Sequence, residues 1–109
     1  MHKHKERLIK KAIQSDCGFK VSAIGLNRKG DVIYIASNGV RFKRKHGGIH
    51  AEMKVMLKAG PGLHSIIICR TNRTGGNLLP IDPCKNCQKM ADKLGVKIYS
   101  LTPGESIDE

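Results

Sequence analysis

Aromatic residues and long apolar runs are scarce in this sequence. Its 109 residues include no tryptophan, two phenylalanines and two tyrosines. Stacking of successive bases needs aromatic side chains, so a long platform for single-stranded nucleic acid is disfavoured. Apolar runs such as Ile66–Cys69 fall far short of the roughly 20 residues of a membrane-spanning helix. The basic N-terminal residues precede no apolar core of signal-peptide length, so we expect a cytoplasmic protein without a membrane partner.

Acidic residues are outnumbered by basic ones. Twenty Lys and Arg stand against nine Asp and Glu, which gives a formal net charge of +11. Such an excess favours binding of phosphates or polyanions, although a solvated basic surface would give the same count. The hydrophobic fraction of 39% is typical of a folded protein, and the length predicts one domain over residues 1–109.

Cysteine is too sparse for a disulfide framework. The four cysteines are Cys17, Cys69, Cys84 and Cys87. A small secreted scaffold would contain more cysteine and fewer aliphatic residues. Cys84 and Cys87 form a C-x-x-C, whereas the other two stand alone in apolar surroundings. This pattern favours reduced thiols and a metal site.

Hydrophobic periodicity predicts alternating helices and strands. The predicted elements are a helix over 3–16, a hairpin of strands over 19–26 and 32–36, a helix over 50–59, a buried strand over 64–70, a helix from residue 83 to about residue 94 and a strand over 96–101. Asp82 and Pro83 have the residue types of an N-cap and a first helical position, so we expect the third helix to begin there. The order α-β-β-α-β-α-β predicts an α/β fold with a mixed sheet of about four to five strands, flanked by helices.

Two short motifs lie at the starts of two predicted helices. The sequence H-A-E occupies 50–52 and P-C-K-N-C occupies 83–87. A helix N-terminus favours negative charge and so lowers the pKa of a thiol. One imidazole and two thiolates supply three zinc ligands and leave a fourth position open, as in catalytic zinc sites. A lone C-x-x-C would also fit a redox pair or half of a structural zinc knuckle, but its combination with H-x-E favours catalytic zinc.

H-x-E followed by P-C-x-x-C is the signature of zinc deaminases, and the sequence resembles the cytidine deaminase-like superfamily over most of its length. That superfamily includes cytidine and deoxycytidylate deaminases, tRNA adenosine deaminases, polynucleotide cytosine deaminases and deaminase toxins. The resemblance implies a three-layer fold in which His50, Cys84 and Cys87 hold Zn²⁺. It also implies that a zinc-activated hydroxide attacks C4 of cytosine, or C6 of adenine, while Glu52 moves protons until ammonia leaves.

The resemblance also indicates residues at the substrate. Many members place an asparagine after the second strand to contact the sugar, and Asn38 stands there. The backbone of Ala51 would face the base carbonyl. A basic loop follows Asn38, and we expect it to bind phosphate at the pocket mouth, although a solvated loop is the alternative. The loop residues expected at the substrate are Arg41, Phe42, Lys43 and Arg44, of which Phe42 is placed to stack on a base.

Three functions stay open at this point. We favour, narrowly, deamination of a free cytosine nucleotide or nucleoside over deamination of single-stranded DNA or RNA, because aromatic residues are few. The third is a catalytically idle zinc module that binds nucleic acid. Such a module would have no use for the carboxylate of Glu52. Only eight residues follow Leu101, so the last sheet edge is open, paired with a short strand from the tail, or covered by another subunit. We expect a homo-oligomer.

Overall fold

A mixed five-stranded sheet with helices on both faces organises the described part of the chain. The computed structural model describes residues 2–14, 20–40, 48–72 and 77–101. The helices are α1 (His2–Ile13), α2 (Ala51–Ala59) and α3 (Lys85–Leu94), and a 3₁₀ turn at Gly60–Gly62 follows α2. The strands are β1 (Lys20–Leu26), β2 (Val32–Ser37), β3 (Gly39–Val40), β4 (Gly48–Ile49), β5 (Ser65–Thr71), β6 (Leu78–Leu79) and β7 (Lys97–Ser100). The predicted α/β order is confirmed, with three two-residue strands added to it.

The sheet is built around β1 and β5. Strand β1 pairs antiparallel with β2 on one side and, along its full length, with β5 on the other. The far edge of β5 is shared, because Ser65–Ile68 pairs parallel with β7 and Arg70–Thr71 pairs antiparallel with β6. Strands β3 and β4 form a separate two-stranded ribbon. The tail after Leu101, for which a further strand was left open, lies outside the described residues.

Alternating side chains of β1 and β5 supply two cores, one on each face of the sheet. The core under α1 comprises Leu8, Ile24, Leu26, Ile67, Cys69 and Leu101. The core under α2 and α3 comprises Val21, Ala23, Ala36, Ala51, Val55, Met56, Ile66, Ile68, Cys87, Ala91 and Val96. Strand β5 therefore lies between two helical layers, and its predicted burial on both faces is confirmed. No helix in the described ranges is both long and apolar enough to cross a membrane.

Helix α2 packs closely on β1 at a glycine. A Cβ added to Gly25 would lie 2.6 Å from Cγ1 of Val55 and 2.8 Å from Cδ1 of Leu63. Because Gly25 has no side chain, Val55 can sit directly on the strand. This contact sets the height of α2 above the sheet and so helps to place the first turn of the helix.

The start of the third helix differs from the prediction. Helix α3 begins at Lys85, and its N-cap is Cys84, which has extended backbone angles of φ −69° and ψ 162°. The predicted N-cap Asp82 and first helical residue Pro83 therefore precede the helix. The thiol of Cys84 makes the capping hydrogen bond that was predicted for the carboxylate of Asp82. Gly95 ends α3 in the left-handed region, at φ 72°, as its position after the predicted helix indicated.

Candidate metal centre

The first turn of α2 separates an exposed imidazole from a buried carboxyl group. His50 is the N-cap of this helix, with φ −66° and ψ 143°, and its side chain makes no capping hydrogen bond. Its carbonyl oxygen accepts from the N–H of Lys54 at 3.1 Å, as the first carbonyl of a helix does. Glu52, two residues further on, is only 3% exposed. The N-cap position thus leaves the imidazole available as a ligand and directs the carboxyl group into the protein.

The first turn of α3 holds both thiols. The Sγ of Cys84 accepts from the N–H of Cys87 at 3.3 Å, which is the bond that a serine or aspartate oxygen makes in a usual N-cap. Cys87 is the third residue of the helix and is buried, whereas Cys84 is half-buried. Their spacing of three residues places both sulfurs at the same end of the helix.

The two helix starts bring three ligand atoms together. Nδ1 of His50 lies 3.6 Å from Sγ of Cys87. The ligand atoms of His50, Cys84 and Cys87 all lie within 4.8 Å of one another. A tetrahedral zinc ion with Zn–S bonds of about 2.3 Å and Zn–N bonds of about 2.0 Å keeps its ligand atoms about 3.5–3.8 Å apart. The 3.6 Å between His50 and Cys87 matches this range, and the borderline-soft donor set suits zinc, with one coordination position left for a small molecule.

A comparison with known protein families agrees with a zinc site at these residues. A family model described as "Cytidine and deoxycytidylate deaminase zinc-binding region" matches residues 1–101. The chain belongs to this family. It is therefore a zinc-dependent deaminase of the cytidine and deoxycytidylate type, and its cofactor is Zn²⁺. The superfamily inferred from the two motifs is confirmed.

Solved structures with a similar fold are also deaminases. They include a mutant cytidine deaminase from Mycobacterium tuberculosis, at 20% identity and a TM-score of 0.62, and the cytidine deaminase from Mycobacterium leprae, at 19% identity and a TM-score of 0.62. Each alignment covers 91% of this chain and 84% of the other. At such low identity the likeness shows the fold, and it confirms the predicted fold class. A search of curated proteins gave no significant match.

Burial and neighbouring charges shift the pKa values of Glu52 and Cys87 in the deaminase centre. Burial raises the pKa of Glu52, while its own backbone N–H and the charge of His50 act in the lowering direction. Burial also raises the pKa of Cys87, and its hydrogen bond with Cys84 and the negative charges of Glu52 and Cys84 raise it further. From its place at a helix N-terminus we expected a lowered pKa for this thiol. The difference arises because a buried thiol among other acids needs a cation as well as helix amides to become a thiolate.

Helix amides nevertheless point at both sulfurs. The N–H of Met53, third residue of α2, bonds to the thiol of Cys87 and lowers its pKa. The N–H of Cys87, third residue of α3, bonds to Cys84. A divalent cation between the sulfurs would offset the mutual repulsion of the acidic groups and keep both thiols ionised. Charge and geometry thus agree that the donor set suits zinc.

The residues expected at the substrate are only partly within the described ranges. Asn38 follows β2, and its Oδ1 accepts from the N–H of Val21 at 3.1 Å. Ala51 is the first residue of α2 and is fully buried. The loop residues Arg41, Phe42, Lys43 and Arg44 lie outside the described residues. The substrate roles of all six stay predictions.

One basic residue on the α2 and α3 face of the sheet, Arg70, was not predicted as a site residue from the sequence. Arg70 lies in β5, where Val21 is its partner in β1 and Leu79 its partner in β6. The signal in the sequence was the alternation of side chains along β5. It places Arg70 on the same face as Ile66 and Ile68, at the next position. A charged residue at such a position merits a functional explanation.

Proposed function

We propose that the protein hydrolyses the amine of cytosine in a phosphate-bearing substrate, and that Glu52 carries the proton in this reaction. The placement of Glu52 carries the proposal. It is a buried carboxyl group two residues after His50, and its charge acts on the thiol of Cys87. A structural zinc site has no use for an acid in this position, whereas hydrolytic deamination needs a proton carrier beside the metal ligands.

The roles follow from these positions. His50, Cys84 and Cys87 would hold zinc, which when bound makes water a nucleophile at neutral pH. Glu52 accepts one proton of the attacking water and passes it to N3 of the base, and it then carries the remaining hydroxyl proton to the departing amine. The water oxygen becomes the 4-oxo group of uracil, the C4–N bond breaks, and ammonia leaves. Burial, which raises the pKa of Glu52, suits a group that must both accept and release a proton.

Substrate binding is assigned to the residues around this centre. The N–H of Ala51, at the first position of α2, has no acceptor within its own helix and is suited to bond the 2-oxo group of the base. Asn38 contacts the sugar, and the loop with Arg41, Phe42, Lys43 and Arg44 approaches the phosphate. A cytoplasmic location and a homo-oligomer stay predictions from the sequence.

A free nucleotide or nucleoside is favoured over a strand. Tyr34, which lies opposite Gly25 near the hairpin end of the β1–β2 pair, is away from the Val21 end of β1. Tyr99 belongs to β7, on the far side of β5 from β1. Within the described ranges, therefore, no row of aromatic side chains leads to the metal centre. Such a row is what stacking of successive bases needs.

The variant Glu52→Gln tests the proposal. We expect it to retain the zinc content of the wild type and to lose at least about 100-fold in ammonia release, because general acid–base catalysis contributes this much. Glu6→Gln is the matched control, because it removes an acid from the exposed surface of α1. If Glu52→Gln released ammonia at the wild-type rate, the proposed mechanism would be wrong.

Parallel product analysis separates the substrates. Deoxycytidylate, cytidine and a single-stranded oligonucleotide are incubated with the wild type, and uracil products are measured. Preference for a strand would show as activity that falls steeply with salt, whereas a single nucleotide gives a shallow salt dependence. The alternative of another class, an idle zinc module that binds nucleic acid, predicts retained zinc and strand binding with no uracil product from any substrate.

A further inference from the structure

Asn38, Val21 and Arg70 lie side by side across three strands. Val21 and Arg70 are paired residues of β1 and β5. On the other side of Val21, its carbonyl accepts from the N–H of Asn38 at 3.0 Å, and its own N–H donates to Oδ1 of Asn38 at 3.1 Å. Neighbouring strands lie about 4.8 Å apart, so the backbones of Asn38 and Arg70 are roughly 10 Å apart.

This row lies at the end of the sheet that carries the metal centre. The C-terminal end of α2 is at the opposite end, because Pro61–Leu63 lines a cavity of about 410 Å³ together with the hairpin turn around Arg28. Val55, in the middle of α2, packs on Gly25 in β1. One turn earlier, Ala51 joins the core that contains Val21. The first turn of α2 therefore points toward the end of the sheet that contains the row.

Arg70 is on the same face of the sheet as the metal centre. Ile66 and Ile68 belong to the core under α2 and α3, and Arg70 is the next residue of β5 on that face. Val21, its partner, shares that core with Cys87. Asn38 follows Ala36, a member of the same core, at a spacing of two residues. The row thus places the guanidinium group of Arg70 on the helix side of the sheet, two strands away from the amide of Asn38, whose oxygen bonds to the backbone of Val21.

The burial of Arg70 argues for a role that needs an arginine. Its Nε is buried and the residue as a whole is half-buried. Arginine is uncommon at core-facing strand positions because its charge loses hydration there. Its planar guanidinium group matches the oxygen atoms of a phosphate with two parallel hydrogen bonds, which lysine cannot reproduce.

We propose that Arg70 binds the phosphate of the substrate and determines a preference for cytosine nucleotides over nucleosides. The inference rests on the proposed function, in which Asn38 contacts the sugar. With the sugar at Asn38, roughly 10 Å from the backbone of Arg70, a phosphate attached to that sugar is within reach of the long Arg70 side chain. Arg70 is then a specificity-determining residue and takes no part in the proton transfer.

The test compares KM and kcat for deoxycytidylate and deoxycytidine in the wild type, Arg70→Met and Arg70→Lys. We expect Arg70→Met to raise the KM for deoxycytidylate at least about tenfold, with kcat nearly unchanged, because a charge-assisted hydrogen-bonded pair is lost. The KM for deoxycytidine should stay within about twofold, because the nucleoside offers no phosphate. The KM of Arg70→Lys for deoxycytidylate should fall between those of the wild type and Arg70→Met. The control is Arg28→Met, which removes an equal charge at the opposite end of the sheet and should leave both KM values unchanged.

Two results would overturn the proposal. One is an equal loss for nucleotide and nucleoside in Arg70→Lys, which would mean that Arg70 supports the fold. The other is a wild type that shows no preference for deoxycytidylate. A second measurement, stabilisation of each variant by inorganic phosphate in thermal unfolding, needs no turnover. We expect phosphate to stabilise the wild type and Arg28→Met but not Arg70→Met, and equal stabilisation of all three would contradict the role. If the wild type deaminates neither compound, the proposed function fails, and the phosphate measurement still decides the role of Arg70.

Discussion

The Sγ of Cys87 lies 3.6 Å from Nδ1 of His50, although 37 positions of sequence separate them. The same sulfur receives the N–H of Met53, so a residue of α3 bonds to the first turn of α2. Cys84 in turn caps α3 through the N–H of Cys87. The two sulfurs that would hold the metal therefore also accept backbone N–H groups from the first turns of the two helices. This double use allows the two roles to be separated by substitution.

Replacement of Cys84 should separate helix capping from metal binding. Cys84→Ser keeps an N-cap acceptor, and Cys84→Ala removes it. In the metal-free protein we expect Cys84→Ser to be about as stable as the wild type and Cys84→Ala to be less stable by about 1 kcal/mol. Both should bind zinc far more weakly. Urea unfolding in the presence of a chelator and zinc titration measure the two effects, and equal stability of both variants would contradict the capping role.

Removal of zinc should loosen α3 before the rest of the protein. This helix buries only Cys87 and Ala91, whereas β1 and β5 lie inside two cores. Without the metal, only the contacts of the Cys87 sulfur join the helix starts, and α3 has little apolar packing to support them. We expect a chelator to speed hydrogen exchange across Lys85–Leu94 and to leave Lys20–Leu26 nearly unchanged. Uniform acceleration in both segments would show that zinc stabilises the whole fold equally.

The thiol of Cys69 should stay unreactive whether or not zinc is bound. It is fully buried in the core under α1, and burial raises its pKa, so at neutral pH it is a protonated thiol. We expect iodoacetamide to modify Cys84 faster after chelation and to leave Cys69 unmodified in both conditions. Peptide mapping by mass spectrometry measures each site. Chelator-dependent labelling of Cys69 would mean that metal loss opens the α1 side of the sheet.

Gly25→Ala should displace the first turn of α2 indirectly. The new Cβ would lie 2.6 Å from Val55 and 2.8 Å from Leu63, so the helix must shift or the side chains must move. Such overpacking costs about 1–3 kcal/mol, and we expect lower stability together with weaker zinc binding. Gly62→Ala is the matched control, because no atom lies within 4 Å of its added Cβ. Wild-type zinc affinity in a destabilised Gly25→Ala protein would show that the packing of α2 on Gly25 does not control the centre.

The main elements were predictable from the sequence because each has a strong local period. The apolar run of β5 and the stop at Gly95 are examples, and both are confirmed. The two-residue strands β3, β4 and β6 were not predictable, because pairing with a distant segment creates them. Strand β6, for example, exists through its hydrogen bonds to Arg70 and Thr71.

The candidate site, like the fold, could be predicted only in part from the sequence. The ligand residues could be predicted because His50, Cys84 and Cys87 stand in short motifs of recognisable chemistry. The N-cap of α3 was assigned wrongly, because local preference favours Asp82 while the sulfur bond to Cys87 decides the start. Arg70 was missed because its significance depends on which strands flank β5. Sheet order is a property of the tertiary structure, and periodicity carries no information about it.

Strand β5 precedes both cysteines of the metal centre in the chain, and this order has a consequence during synthesis. A growing chain that has reached Thr71 holds His50 and Glu52 together with the strands β1, β2 and β5, which can already pair. Neither Cys84 nor Cys87 has yet been made, and the edge of β5 that receives β7 is still open. The nascent enzyme therefore passes through a stage with a central sheet and one metal ligand. It can complete its metal site only after Cys84 and Cys87 have left the ribosome.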